Sequence, residues 1–118
     1  FLHVCGAASH LLDLLISSGA DAVEVDSVVD IAEAVSMGKA HGVTIRGNVD
    51  PIQLANAEAS EAYRITAECV EAGKASGSHF ILCGGCGIPK HTPIENMQAF
   101  VRAALDHGVY ANRDNRDS

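Results

Sequence analysis

Basic residues are scarce in this sequence of 118 residues. Lysine and arginine together number 8, against 15 aspartates and glutamates, which gives a formal net charge of −7 at pH 7. Proteins that bind nucleic acid non-specifically, or that adhere to anionic membranes, need a basic surface to displace counterions from phosphates. We therefore expect neither nucleic acid nor a membrane surface among the partners of this protein.

Aromatic residues, cysteines and long apolar runs are also few. Aromatic side chains make up 4% of the sequence and tryptophan is absent. No uninterrupted apolar stretch approaches the ~18 residues of a membrane-spanning helix. The 4 cysteines are far below the density of a disulfide-stapled secreted domain, and we expect no secretory leader. These absences favour a cytoplasmic globular protein with reduced thiols.

The sequence does contain a regular alternation of short apolar runs with longer helical patterns. The apolar runs predict four β-strands, near residues 1–5, 22–26, 43–47 and 79–83. Helical spacing of apolar residues predicts helices over residues 9–18, 30–41, 58–73 and 92–107. Strand followed by helix, four times over, indicates an α/β fold of four βα units with parallel strands and right-handed crossovers.

Three of the helix starts carry recognisable capping residues. Asp30 can accept a hydrogen bond from the amide near Glu33, and Asp50 precedes a proline that suits the first helical position. Thr92 and Glu95 have the spacing of a capping box. In the last helix, the spacing predicts five inward-facing apolar residues: Met97, Phe100, Val101, Ala104 and Leu105.

Two architectures fit four βα units: a small doubly wound sheet, and one half of an eight-stranded βα barrel. In both, the chemistry lies beyond the carboxyl ends of the strands. The residues of unusual type in this sequence fall at those ends. They are His3, Cys5, Asp26, Gly47-Asn48 and the segment Cys83-Gly84-Gly85-Cys86.

His3 and Cys5 are separated by one residue at the end of a strand, so their side chains point to the same face. An imidazole and a thiolate on one face suit zinc, which takes nitrogen and sulfur ligands in tetrahedral geometry. A core cysteine beside a surface histidine fits the same pair. Cys86 strengthens the metal interpretation, because its flanking glycines let the backbone turn sharply over the mouth of the fold.

Cys83 and Cys86 also form a CxxC pair, for which a redox role is the alternative. A thioredoxin-like pair begins a helix directly, whereas residues 88–90 separate this pair from the next helix cap. We interpret Cys83 as a packed strand residue. Cys69 lies on the apolar stripe of its helix and is interpreted as a core residue.

Three further residues are predicted to bind substrate: Asp26, Asn48 and His91. The first two end strands, and His91 precedes the last helix near the same mouth as Cys86. Ordinary turn and loop chemistry is the alternative for each of them. The sequence assigns no catalytic residue.

Three motifs, in this order, resemble the C-terminal half of the uroporphyrinogen decarboxylase superfamily. They are Leu2-His3-Val4-Cys5-Gly6, Gly47-Asn48-Val49-Asp50-Pro51, and Gly85-Cys86-Gly87-Ile88-Pro89 with Thr92-Pro93-Ile94-Glu95-Asn96. The resemblance extends over residues 1–110, which we take as one domain, and leaves residues 111–118 as a polar tail. It implies the C-terminal half of a (β/α)8 TIM barrel, whose N-terminal half would supply the other units.

Within the superfamily, the sequence is most similar to the methylcobamide:coenzyme M methyltransferase branch. Those enzymes bind zinc through a His-x-Cys…Cys set, which corresponds here to His3, Cys5 and Cys86. Decarboxylases carry Gly-His-Gly where this chain has Gly85-Cys86-Gly87, and they need no metal. The resemblance thus implies a zinc enzyme that moves a methyl group from a methylcobamide, carried by a corrinoid protein, to a small thiol such as coenzyme M.

Two alternatives stay open: a decarboxylase-like enzyme without zinc, and a non-catalytic half-barrel that needs a partner. Half of a barrel leaves two open sheet edges and an uncovered inner face. We expect that face to be apolar, with Val4, Val23, Val25, Ile45 and Ile81. We therefore expect the chain to form a homo-oligomer or to pair with an N-terminal half.

Overall fold

The computed structural model describes residues 2–4, 11–76, 80–85 and 87–109. Within these ranges, the β-strands are β1 (Leu2–Val4), β2 (Ala22–Val25), β3 (Thr44–Val49) and β4 (Phe80–Gly84). The α-helices are α1 (Leu12–Ile16), α2 (Ile31–His41), α3 (Pro51–Asn56), α4 (Ala59–Gly73) and α5 (Ile94–His107). The predicted α/β class is confirmed. None of the described helices is long and apolar enough to cross a membrane.

All neighbouring strands of the sheet are parallel, and their order is β1-β2-β3-β4. A doubly wound sheet reverses its strand order at a switch point, whereas a barrel sheet adds each strand beside the previous one. The described strands show no reversal, so their order is that of a barrel-type sheet. The first of the four predicted βα units includes residues 5–10, which lie outside the described ranges. For that unit, the prediction stays a prediction.

The helices cover one face of the sheet. Val23, Val25 and Ile45 are almost fully buried on that face, in a core shared with α1 and α2. A second cluster joins Leu54 of α3 and Ala99 of α5 to the end of β3 and the inner side of α4, and Phe80 packs against both clusters. The apolar residues of the strands are thus used to seat the helices.

The opposite, open face of the sheet is polar, which corrects the sequence-based expectation. Glu24 and Arg46 alternate with the buried residues of their strands, and their side chains form an ion pair with Nη2–Oε2 3.3 Å. Ile81, in register with Arg46, lies half-exposed, as expected for this face. The predicted placement of Val23, Val25 and Ile45 there is wrong, because alternation reveals two faces without showing which one the helices cover. The side chain of Val4 lies outside the described part of the chain.

Two of the predicted helix caps are confirmed. The Asp30 carboxylate accepts hydrogen bonds from the amides of Ala32 and Glu33 at 3.0 and 3.4 Å, and α2 ends at Gly42, whose φ is 70°. The Asp50 carboxylate accepts from the amide of Ile52 at 2.9 Å. Its helix, α3, is a short one that precedes the predicted helix over residues 58–73 and was not itself predicted.

The predicted capping box at Thr92 is wrong. The N-cap of α5 is Pro93, and no side chain caps the helix. The Thr92 hydroxyl instead donates to the carbonyl of Pro89 at 2.8 Å, and the Thr92 amide donates to the same oxygen at 3.2 Å. The Thr92 hydroxyl is therefore engaged in the turn before α5 and does not cap the helix.

The inward face of α5 also differs from the prediction. Its buried residues are Asn96, Ala99 and Ala103, and Met97 and Phe100 pack against the core as predicted. Val101 and Leu105, in contrast, are 54% and 71% exposed. The small buried residues let α5 lie close against α4, which turns the larger apolar residues outward. Together with Ile94 and Met97, they line a groove of about 440 Å³ on the outer side of the helix. We call this set the α5 stripe.

A substitution at Gly38 tests which face of β3 the helices cover. A Cβ at Gly38 would lie 2.6 Å from the carbonyl oxygen of Val43 and 2.9 Å from a side-chain carbon of Ile45. Alanine normally stabilises a helix by up to about 1 kcal/mol relative to glycine, but overpacking costs ~1–3 kcal/mol. We expect Gly38→Ala to lower the free energy of unfolding, measured by urea denaturation. The exposed Ser36→Ala is the control, expected to be neutral or slightly stabilising. A stabilising Gly38→Ala would contradict the described packing of α2 on β3.

Candidate functional site

The carboxyl ends of β2, β3 and β4 meet at one edge of the sheet, which we call the mouth. Gly85 follows β4, and its amide donates to the carbonyl of Val49 at 2.8 Å. A Cβ at Gly85 would lie 2.5 Å from the amide nitrogen of Ser27 and 3.2 Å from the carbonyl carbon of Asp26. The chain that leaves β4 therefore crosses the end of β3 and touches the loop after β2, an approach that only glycine permits.

A second glycine brings β3 close to β2 at the same point. Gly47 has a φ of 150°, and a Cβ there would lie 2.8 Å from the carbonyl oxygen of Val25. Any side chain at this position would push the two strands apart. Close backbone contacts therefore explain the glycines of the Gly47-Asn48 and Gly85-Cys86 motifs.

Asn48 is buried at the mouth and hydrogen-bonded on both sides of its amide. Its Nδ2 donates to the carbonyls of Asp26 and Val29, at 3.0 and 2.6 Å. Its Oδ1 lies 3.6 Å from the Cys69 thiol. The structure therefore brings Asp26 and Asn48 together, and the prediction that they bind substrate stays a prediction.

Cys69 contacts Asn48 from α4. Its sulfur accepts a hydrogen bond from the Asn48 backbone amide at 3.4 Å. Burial raises the pKa of the Cys69 thiol, while the Asn48 amide acts in the opposite direction. The residue is buried, so its predicted place in the core is confirmed.

Asp26 lies directly after β2 and is also buried. Its Oδ1 accepts from the Ser27 amide at 2.6 Å and from the Ser27 hydroxyl at 3.1 Å. Its carbonyl accepts from the amide of Val29 at 3.0 Å, which closes a turn. The carboxylate therefore helps to shape the loop that carries it.

The third predicted substrate residue, His91, lies in the turn before α5 with an exposed side chain. No hydrogen bond described in the structure joins His91 to Asp26 or Asn48. Its predicted role stays a prediction.

The predicted zinc ligands lie at the limits of what the structure describes. His3 belongs to β1, but its side chain is not described, and Cys5 and Cys86 lie outside the described residues. Within the described ranges, no three His, Cys, Asp or Glu side chains are grouped as a metal site would require. The zinc assignment is therefore neither supported nor contradicted by side-chain positions.

Cys83 is a residue of β4, as predicted, and its side chain lies on the open face of the sheet. It is half-buried, and its sulfur is 3.6 Å from Oε2 of Glu24, the same carboxylate oxygen that pairs with Arg46. Burial and the charge of Glu24 raise the pKa of the Cys83 thiol to about 11, against a smaller opposite effect of Arg46. Cys83 is therefore a protonated thiol at neutral pH.

Sequence reasoning missed the group formed by Glu24, Arg46 and Cys83. Their signal was present, since Glu24 and Arg46 are the charged residues inside otherwise apolar strands. Charged side chains in such strands point away from the apolar core when they can pair.

The helix side of the mouth also holds a cavity of about 530 Å³, lined by Asn48, Arg64 and Cys69 among others. Arg64 is engaged there by Glu61 and Glu68.

Comparison with known proteins places this geometry in a family. A family model described as uroporphyrinogen decarboxylase (URO-D) matches residues 1–107. The methylcobamide:CoM methyltransferase MtbA of Methanosarcina mazei is 33% identical over 107 residues, covering 90% of this chain and 30% of that protein. A uroporphyrinogen decarboxylase of a Synechococcus species is 41% identical over 103 residues, covering 86% and 28%.

A solved structure shows the same fold. A methyltransferase from Methanosarcina mazei superimposes with a TM-score of 0.77 at 24% sequence identity. The match covers 92% of this chain and 31% of that one, so the chain spans less than a third of the proteins it resembles. On the strength of the family match over nearly its whole length, this chain belongs to the uroporphyrinogen decarboxylase (URO-D) family.

Proposed function

We propose that this chain is the C-terminal part of a TIM-barrel methyltransferase that transfers a methyl group from a methylated corrinoid to a thiol such as coenzyme M. Relatives with this kind of activity include the methylcobamide:CoM methyltransferase and a methylated-thiol–coenzyme M methyltransferase, 34% identical over 106 residues. Because the chain spans less than a third of such proteins, the proposal concerns the activity of the complete protein.

The observation that carries this proposal is the course of the chain after β4. Gly85 touches the loop after β2, and β2 is the neighbour of β1. Cys86 directly follows Gly85, while His3 and Cys5 belong to β1 and the residue after its end. In a flat sheet, the ends of β1 and β4 would be separated by three strand spacings of ~4.8 Å each. Gly85, however, contacts the loop after β2 and so lies beside the neighbour of β1, which supports a shared site.

The proposed ligands fit zinc by their chemistry. One imidazole and two thiolates are the nitrogen and sulfur donors that zinc prefers, and three protein ligands leave one position for an incoming thiol. When bound, zinc would supply the positive charge that converts a thiol of ordinary pKa near ~8.5 into a thiolate. Cys83 is not proposed as a ligand, because its sulfur lies on the open face, 3.6 Å from the Glu24 carboxylate. His3, Cys5 and Cys86 are therefore the proposed metal residues.

The remaining residues of the mouth would serve the substrates. Asp26 and His91 are proposed to orient the acceptor thiol, and Asn48 is proposed to belong to the same substrate site by holding the loop that carries Asp26. The donor is a methylcobamide held by a corrinoid protein, which would dock over the open mouth of the barrel.

The zinc assignment predicts that metal binding needs Cys86 but neither Cys83 nor Cys69. In the full-length protein, Cys86→Ser should abolish tight binding of about one zinc per chain, because it removes one of three ligands. Cys83→Ser and Cys69→Ser are the matched controls and should retain the metal. Zinc content after dialysis, measured by atomic emission, decides between them. Loss of zinc in Cys83→Ser with retention in Cys86→Ser would show that the assignment is wrong.

The reaction itself predicts thiol-dependent loss of the methyl group from methylcobalamin. The full-length protein, with zinc bound, should catalyse demethylation in the presence of coenzyme M or another small thiol. Cys86→Ser should lower that rate by at least about 100-fold, as removal of a group that activates the nucleophile does. The change in the cobalamin absorption spectrum follows the reaction. A zinc-loaded wild type without any thiol-dependent demethylation would sink the proposal.

Decarboxylation of uroporphyrinogen is the second candidate function. The identity of 41% with the Synechococcus decarboxylase favours it, and so does a second decarboxylase relative, from Prochlorococcus marinus, at 36%. This reaction would not need the cysteine ligands. A metal-free protein that decarboxylates uroporphyrinogen, and keeps doing so as Cys86→Ser, would establish this candidate in place of the first.

We also propose that the α5 stripe is covered by another βα unit. In the described sheet, β1 and β4 each have a neighbour on one side, and the stripe lies on the helix that follows β4. The relatives are more than three times longer than their matched segment, so they contain the units that would lie there. A second copy of this chain, or an N-terminal half, would serve the same purpose.

Light scattering of the 118-residue chain at micromolar concentration tests this pairing. We expect a dimer or larger assembly, because an exposed apolar helix face costs ~25 cal/mol per Å². Val101→Ser with Leu105→Ser should shift the chain towards monomer. Val28→Ser, at an exposed valine outside the stripe, is the control and should leave association unchanged. A monodisperse wild-type monomer would show that the stripe needs no partner.

A further inference from the structure

Asn48 uses its side-chain hydrogen bonds on the protein itself. Both donors of its Nδ2 are taken by main-chain carbonyls, those of Asp26 and Val29, at 3.0 and 2.6 Å. A carboxamide nitrogen carries two hydrogens, so none is left for a ligand. The residue is 8% exposed, which places these bonds away from competing water. These two short, buried hydrogen bonds hold the loop after β2 in place, and we call them the clamp.

The clamped loop is the one that carries Asp26. It runs from the end of β2 to Asp30, and the Val29 amide closes it by donating to the Asp26 carbonyl at 3.0 Å. The same carbonyl also accepts from Asn48, so one oxygen joins the turn to β3. Gly85, which follows β4, also contacts the loop at Ser27. The loop is therefore held between the ends of β3 and β4.

Cys69 orients the clamp. Its sulfur accepts from the Asn48 backbone amide at 3.4 Å, and its S–H has two acceptors within reach, Oδ1 of Asn48 at 3.6 Å and the carbonyl of Gly47 at 3.7 Å. An acceptor oxygen facing a thiol donor leaves the Nδ2 group pointing towards the two carbonyls. The orientation of the amide thus follows from a residue on α4.

We infer that Asn48 is a positioning residue, which sets the place of Asp26 at the mouth by clamping the Asp26–Val29 loop and does not itself touch substrate. The inference rests on the proposed function in one respect only, that Asp26 belongs to the substrate site. The clamp is a property of the fold under either candidate reaction.

Asn96 supplies a matched control. It is also a buried asparagine, 3% exposed, and its Nδ2 donates to two main-chain carbonyls, those of Leu54 and Ala57, at 2.7 and 2.8 Å. Asn96→Ala therefore removes the same kind and number of bonds at the junction of α3 and α5. Any effect common to Asn48→Ala and Asn96→Ala is general destabilisation.

The first measurement is amide hydrogen exchange of the full-length protein. Asn48→Ala should raise the exchange rate of the amides of residues 27–29 by about tenfold or more, since two buried hydrogen bonds are lost. Asn96→Ala should leave those amides within about twofold of wild type and raise exchange at residues 54–57 instead. Equal changes at residues 27–29 in both variants, or no change in Asn48→Ala, would overturn the clamp.

The second measurement is a double-mutant cycle on KM and kcat with Asp26→Ala, using whichever of the two candidate reactions the wild type catalyses. If Asn48 acts through Asp26, Asn48→Ala should change little in the Asp26→Ala background. Additive losses, together with unchanged loop exchange, would mean that Asn48 contacts substrate directly. A wild type inactive in both reactions would refute the proposed function, while hydrogen exchange would still decide the clamp.

Discussion

The register of β3 between β2 and β4 is the constraint on which the described structure depends. Ile45 points to the helices, where Gly38 lets α2 approach the strand closely. The next residue, Arg46, points to the open face and pairs with Glu24 across the strands. Because successive residues of a strand face opposite sides, a slip of one residue would bury the charge and expose the isoleucine. The helix layer and the polar face are therefore determined together.

The end of the same strand organises the mouth. Gly47 admits the end of β2, Asn48 clamps the loop after it, and the Val49 carbonyl receives Gly85 from β4. Three consecutive residues thus join the ends of three strands. A barrel-type sheet places its chemistry at this edge, and here the edge is built from main-chain contacts that need glycine or a carboxamide.

The open face suits an enclosed polar interior better than an apolar interface. Glu24 pairs with Arg46 and accepts from Cys83, so a charge pair and a thiol lie on the face that the helices leave open. Fold alone does not separate methyltransferase from decarboxylase, since relatives of both kinds share the family. The reaction is therefore a property of individual side chains rather than of the fold.

Local interactions explain what the sequence by itself determined. Strand–helix alternation, the caps at Asp30 and Asp50 and the helix end at Gly42 depend on residues within a few positions of each other. The His3, Cys5 and Cys86 motif was equally visible in sequence and leads to a zinc hypothesis. Tertiary structure alone decided which face of the sheet the helices cover, and so the places of Val23, Val25 and Ile45.

The same distinction explains the other differences. Val101 and Leu105 have the spacing of core residues, yet the fit of small residues of α5 against α4 turned them outward. The partners of Asn48 lie 19 to 22 residues away in the chain, on a loop and a helix that no periodicity connects to it. The spacing of residues along a helix or strand shows which of them share a face. Which other helix or strand packs against that face is determined only by the tertiary structure.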